Sequence, residues 1–280
     1  EGMLRLGWFS SGRDEAARNI LNTVIHKRKE GVLDASMAFV FCNWDEDEEP
    51  QHPDYVERKK FFELVHGHGI PLITLSWKRF RAEMKGGTKE EWRTAYGEKM
   101  RTLIHGYPFE LGVLAGYALG MDSDTCTRFD LLNLHPALPG GPSGSKQEVI
   151  HRIIATGSDR HGATMHLRKP DREEGPALTF CSFSLSTPEY KKLWQEQDAK
   201  IGKLAVDLLP KDEIEAGPLF KRMRADGEKR ELPLVTFTIK LFADGSVTIR
   251  NGKLYEEGRP LSGPYDLTPA VDEAIARGEF

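Results

Sequence analysis

The sequence predicts an α/β fold: an open, mostly parallel, twisted sheet flanked by helices and followed by a late β-hairpin. Three observations predict it. Short apolar runs recur at residues 4–9, 36–41, 70–75, 110–117 and 131–135. Stretches with apolar residues at helical spacing separate most of them. Several of the runs close on turn-forming residues, the pattern of strands that alternate with crossover helices.

Each element has its own local reason. Residues 4–9 alternate Arg5 with apolar side chains and stop at Ser10-Ser11-Gly12, a strand and its turn. Residues 15–29 carry Ala16, Ile20 and Val24 at helical spacing. A second strand covers 36–41. A helix with Phe61, Leu64 and Val65 on one side then leads to a third strand at 70–75. Residues 89–105 bury Met100, Leu103 and Ile104 in a helix. Fourth and fifth strands follow at 110–117 and 131–135. Residues 147–156 are helical, and 163–167 and 178–185 are two more strands. Residues 187–226 read as helix and loop. Residues 234–242 and 247–250, joined by Ala243-Asp244-Gly245-Ser246, read as the late hairpin. The domain spans 3–255. The tail 256–280 is polar and rich in Pro and Gly, so loose packing is expected. Segments 44–60, 76–105 and 187–226 exceed a minimal alternation. An oligomer interface and a partner surface are both open for them.

Composition narrows the function. Hydrophobic residues make up 39 % and charged residues 29 %, as in a soluble globular protein. A net charge of −4 provides no electrostatic pull toward nucleic acid or an anionic membrane. No apolar run approaches the roughly 20 residues that span a bilayer. No secretory leader pattern opens the chain, so a cytoplasmic location is expected. Cys42, Cys126 and Cys181 are far apart, which argues against a zinc site or a disulfide frame; buried thiols are expected. The acidic run 45–49 reads as a solvated loop.

The chemistry concentrates at Leu131-Leu132-Asn133-Leu134-His135-Pro136-Ala137-Leu138-Pro139. Alternate side chains on a strand share a face, which puts Asn133 beside His135. Pro136 and Pro139 then force a loop. An amide can hold a developing oxyanion and an imidazole can carry a proton, two parts of an acyl-transfer site. A carboxylate to orient the imidazole is the third part. Ser11-Gly12 and Gly116-Tyr117 also end strands, so all three pairs gather along one edge of the sheet, where such folds bind ligands.

Asn133-x-His135-Pro136-(small)-Leu138-Pro139 resembles the signature of the folate-dependent formyltransferases. Leu114-Ala115-Gly116-Tyr117 before it stands in family order. So does His161-Gly162-Ala163-Thr164-Met165-His166, followed by Gly175-Pro176, after it. The resemblance implies a Rossmann-like fold and formyl transfer from 10-formyltetrahydrofolate to an amine, that of glycinamide ribonucleotide in purine synthesis. It implies a folate and a phosphorylated ribosyl glycinamide as small-molecule partners, no metal, and a homo-oligomer as one option.

The same resemblance distributes roles. Asn133 and His135 would serve the tetrahedral intermediate. The orienting carboxylate stands two positions before the Gly-Pro pair, where this chain has Glu173; Asp171, nearby, has the side-chain length that the family uses. Both remain open. His166 matches a histidine lining the formyl site. Ser11, Gly12 and Arg13 occupy the place of a phosphate loop, where Asp14 and Glu15 would repel a phosphate and Arg13 and Arg18 would offset them. Gly116, Tyr117 and Pro136 would border the substrate. Glu228 aligns with a substrate-holding glutamate ahead of Pro233-Leu234-Val235, with Lys229 where the family has a histidine. Ala118, Leu119 and Met121, with His166, would contact the pterin. The loop 139–144 borders the folate tail or is plain connection. Three alternatives stand beside this reading. One is formyltetrahydrofolate hydrolase, which places a regulatory domain ahead of its catalytic one, whereas this chain starts at the first catalytic strand. Another is a formyltransferase for a different amine, such as a sugar nucleotide or an initiator aminoacyl-tRNA, although residues 205–280 look too short for the tRNA enzyme's basic barrel. The last is a catalytically silent folate-binding protein.

Overall fold

The computed structural model describes residues 2–170, 175–201 and 210–280. In chain order the strands are β1 (Leu4–Phe9), β2 (Ala35–Cys42), β3 (Leu72–Thr74), β4 (Leu111–Leu114), β5 (Leu131–His135), β6 (Arg160–Leu167), β7 (Ala177–Ser184), β8 (Val247–Arg250), β9 (Lys253–Glu256), β10 (Arg259–Pro260) and β11 (Tyr265–Asp266). Eight of them form the central sheet in the order β11-β7-β6-β5-β4-β1-β2-β3. From β3 to β5 every pair is parallel; β6 runs antiparallel to both β5 and β7; β11 rejoins in parallel on β7. The mostly parallel sheet that the sequence predicts is present.

The helices are α1 (Glu15–Lys29), α2 (Tyr55–Gly67), α3 (Trp77–Met84), α4 (Lys89–Ile104), α5 (Ser123–Arg128), α6 (Lys146–Thr156), α7 (Pro188–Ile201), α8 (Lys211–Glu215), α9 (Pro218–Ala243) and α10 (Thr268–Ala276). Alternation along β1 explains the two layers. Leu6 and Trp8 point into a core with Leu21 and Val24 of α1, Phe61 of α2, Leu234 and Ile239 of α9, and Val271 of α10. Phe9 points the other way, into an aromatic cluster with Phe39 and Phe41 of β2 and Trp92, Tyr96 and Met100 of α4. Parallel strands buried on both faces need such near-continuous apolar runs. The segment 76–105 builds α3 and α4, which cover this second face. A third cluster joins Val149 and Ile153 of α6 to Tyr190, Ile214 and Phe220, so 187–226 builds the α7–α8–α9 flank. Residues 202–209 lie outside the described residues.

The structure corrects three local expectations. Residues 234–242 continue α9 rather than forming a hairpin arm, and the late hairpin pairs β8 with β9. Glu48, in the acidic run expected to be solvated, is 4 % exposed. The segment after Glu256 is packed: Leu267 N–H bonds Phe180 O at 2.9 Å, and Val271 is fully buried. The cysteines are free; Cys42 and Cys181 are buried, Cys126 half-buried.

Candidate active site

Three loops meet at the carboxyl edge of the parallel strands. The chain moves outward from β1 through β2 to β3, then restarts on the other side of β1 with β4 and β5. The loops after β1 and β4 therefore diverge, which leaves a crevice at this point of the sheet.

β5 supplies the central pair. Leu132 and Leu134 turn into the α1/α9 core. Alternation puts Asn133 and His135 on the opposite face, with Leu131 of the aromatic cluster. Across the antiparallel ladder Asn133 stands opposite His166 and His135 opposite Thr164. The His135 and His166 rings are 5.7 Å apart, edge to face at 61°. Both imidazoles are 5 % exposed. His135 Nε2 donates to Pro142 O at 3.1 Å, because a carbonyl only accepts. His166 Nδ1 donates to Gly175 O at 2.8 Å, which fixes the complementary tautomer. Thr164 Oγ1 donates to Ala137 O at 2.7 Å and ties the Pro136 loop to β6. The carboxylate expectation at Glu173 or Asp171 lies outside the described residues.

The β1–α1 loop is closed by its own bonds. Ser11 is buried. Its N–H donates to Gly116 O at 2.9 Å, its hydroxyl donates to Asn43 Oδ1 at 2.8 Å and accepts Ala118 N–H at 3.0 Å, and its carbonyl accepts Arg58 Nε–H at 3.0 Å. Gly12 has φ +59°, and a Cβ there would lie 2.8 Å from the Phe61 ring. Arg13 is exposed. Arg18 pairs with Glu57, which holds the Glu57 carboxyl below its ordinary range. Asp14 caps α1, its Oδ1 accepting Ala17 N–H at 2.8 Å.

In the loop after β4, Gly116 has φ +68° and packs on Ala17, where a Cβ would come within 3.0 Å. Tyr117 turns into the aromatic cluster beside Phe9 and Phe41, and burial pushes its phenol well above the ordinary value. Its side chain is therefore core. Ala118 is exposed, Leu119 half-buried and Met121 buried. Residues 118–120 line one wall of a cavity of about 540 Å³ with Trp77, Arg81 and Trp92.

Glu228 lies on α9, and sequence reasoning missed its partner. Lys146, the first residue of α6, places Nζ 3.2 Å from Glu228 Oε1 and 3.4 Å from Glu231 Oε2. Burial works to raise the Glu228 carboxyl, but Lys146 and Arg224 outweigh it and hold the group below its ordinary value. For Glu231 burial wins and the carboxyl is raised. Burial works to lower Lys146, yet the two carboxylates raise it. The available signal was a lysine in the first turn of a helix, where the helix dipole disfavours a cation unless carboxylates meet it.

The gathered set is thus Asn133, His135 and His166 at the centre, Gly116 to Met121 beside it, and Asp14 and Glu228 bordering a neighbouring cavity of about 460 Å³. Among the described residues no group of three or more His, Cys, Asp or Glu is placed to hold a metal ion.

No protein-family model matches the chain, and no curated protein matches it by sequence. Solved structures do match. The phosphoribosylglycinamide formyltransferase of Coxiella burnetii superposes with a TM-score of 0.61 at 18 % identity, over 95 % of this chain and 99 % of that one. Glycinamide ribonucleotide transformylase 1 of Symbiobacterium toebii gives 0.58 at 19 %, over 91 % and 94 %. A formyltetrahydrofolate deformylase of Pseudomonas putida KT2440 gives 0.58 at 18 %, over 91 % of this chain and 70 % of that one. Matched over nearly its whole length, the chain carries the fold of the folate-dependent formyltransferase family.

Proposed function

We propose that the chain is a formyltransferase that moves a formyl group from 10-formyltetrahydrofolate to an amine. The observation that carries the reading is the placement of Asn133 and His135 side by side at the end of β5, opposite His166. The amine nitrogen attacks the formyl carbon and the carbonyl electrons move to oxygen. Asn133 donates its amide hydrogen to that oxyanion, which is stabilised more than the ground-state carbonyl. His135 takes the proton from the attacking nitrogen and delivers it to N10 as the C–N10 bond breaks. Formylated amine and tetrahydrofolate leave, with atoms and charge balanced. Glu173 or Asp171 would orient the imidazole, and Ala118 to Met121 would border the pterin. The reaction needs no resident metal.

The sequence resemblance points to glycinamide ribonucleotide as acceptor, held by Glu228, with a role in purine synthesis and a cytoplasmic location. One observation favours a second acceptor, an amine without a phosphate: Asp14, Ser11 and Arg18 are all engaged within the protein. The test follows deformylated folate and formylated product together, with glycinamide ribonucleotide and with other amines. Equal amounts of both products, absent in His135→Ala, support formyl transfer. Deformylated folate without formylated amine favours hydrolysis. Folate bound but unchanged refutes formyl transfer as the function.

A further inference from the structure

The start of α1 follows the strand at which the sheet's order reverses, a position where helix N-termini bind anions. In this chain part of the position is already taken, with the exposed Arg13 beside it. The Asp14 carboxylate occupies the Ala17 N–H, and Glu15 adds a second carboxylate in the first turn. Gly12 N–H donates to Ser10 Oγ at 3.1 Å, and the Ser11 hydroxyl is spent on Asn43 and Ala118. Arg18, a cation near enough to offset a bound anion, is taken by Glu57. Asp14, Glu15, Glu228 and Glu231 line the adjoining cavity with Arg224 and Lys229; Lys146 pairs with Glu228 and Glu231, so the acidic charge at the helix start comes from Asp14 and Glu15. A phosphate entering here would have to displace an N-cap. It would also meet the like charge of Asp14 and Glu15.

We infer that Asp14 is a specificity-determining residue that keeps a phosphate group out of the start of α1, so the amine acceptor carries no phosphate monoester at that end. That the excluded molecule is an acceptor rests on the proposed formyl transfer; the exclusion itself belongs to the loop.

Phosphorus NMR titration of inorganic phosphate against the full chain tests the exclusion, with wild type beside Asp14→Ser and Asp14→Ser/Glu15→Gln. Serine keeps an N-cap oxygen and removes the charge, so the helix start survives the change. Wild type should show no saturable binding at the highest phosphate concentration used, and the double variant should saturate at least about tenfold below that concentration; no binding by either variant overturns the role of Asp14. Saturable binding by wild type that neither variant strengthens overturns the inference. A second measurement needs no substitution: 10-formyltetrahydrofolate is offered with glycinamide ribonucleotide and with its dephosphorylated riboside. Equal or faster formylation of the riboside supports the inference, and a marked preference for the ribonucleotide overturns it. If the donor is never deformylated, formyl transfer itself fails, while the phosphate titration still decides what Asp14 does.

Discussion

Lys146 and Glu231 form an ion pair at 3.4 Å in which the glutamate side chain is 5 % exposed and the lysine 22 %. Removing one partner of such a pair leaves the other charge buried. Lys146→Met should therefore cost about 2–3 kcal/mol near neutral pH, somewhat under the value for a fully buried pair because Lys146 still touches solvent. The pH dependence has a definite sign. The Glu231 carboxyl is raised by burial in the folded chain, so the folded state keeps a proton that the unfolded state releases above its ordinary value of 4.5. Its contribution is present below that value and is lost as pH rises through the folded one. The deficit of Lys146→Met should shrink toward pH 4.5, measured by urea unfolding across the range. A deficit independent of pH would remove the assigned electrostatic cause.

The proposed chemistry makes unequal demands on the two β5 side chains. His135→Ala should lower kcat at least about a hundredfold, the scale of acid–base contributions. Asn133→Ala should lower it about a hundredfold to a thousandfold, the scale of a lost oxyanion donor. Donor affinity should change much less in both. Steady-state kinetics with a thermal unfolding control separates this outcome from simple loss of fold. Near-wild-type turnover in His135→Ala would remove the site.

The proposed mechanism leaves two candidates, Glu173 and Asp171, for the carboxylate that would orient the His135 ring. Comparing Glu173→Gln with Asp171→Asn should give one large loss of kcat and one small loss. The large loss should come with a changed pH profile, because a carboxylate in that role would act through the imidazole. Two equal small losses would leave the histidine without a carboxylate from this loop.

His161 should dominate the acid side of the stability curve. Burial alone depresses its pKa from 6.5 to about 4, and the ring is 3 % exposed. Between those values the unfolded chain binds a proton that the folded chain refuses. Stability should therefore fall as pH drops from 6.5 toward 4, by up to about 3 kcal/mol. His161→Gln should flatten that slope in denaturant titrations at pH 7, 6 and 5. An unchanged slope would assign the acid sensitivity elsewhere.

Much of the sheet was legible because its parallel strands, buried on both faces, read as short apolar runs with turns after them. Leu234 to Phe242 misled for a physical reason. Val235, Thr236, Thr238 and Ile239 are β-branched, and Pro233 precedes them, which reads as a strand after a breaker. Tertiary packing overrides that preference. The segment lies on β6 and β7, and the Thr236 and Thr238 hydroxyls donate to Leu232 O and Leu234 O, one turn back. In the site, Asn133 and His135 were legible because strand alternation is a fixed rule. The ion pairing of Arg18 and of Lys146 was not, because Glu57, Glu228 and Glu231 reach them only through tertiary structure.

The pairing of β11 with β7 bears on how the chain is made. β7 ends at Ser184 and β11 begins at Tyr265, so the outer edge of β7 waits for its neighbour while the intervening residues are synthesised. An open strand edge invites pairing with another copy of the chain. The two residues of β11, backed by Leu267 and α10, cap that edge once they arrive. Nascent chains stalled before residue 265 should therefore be the form most in need of a chaperone.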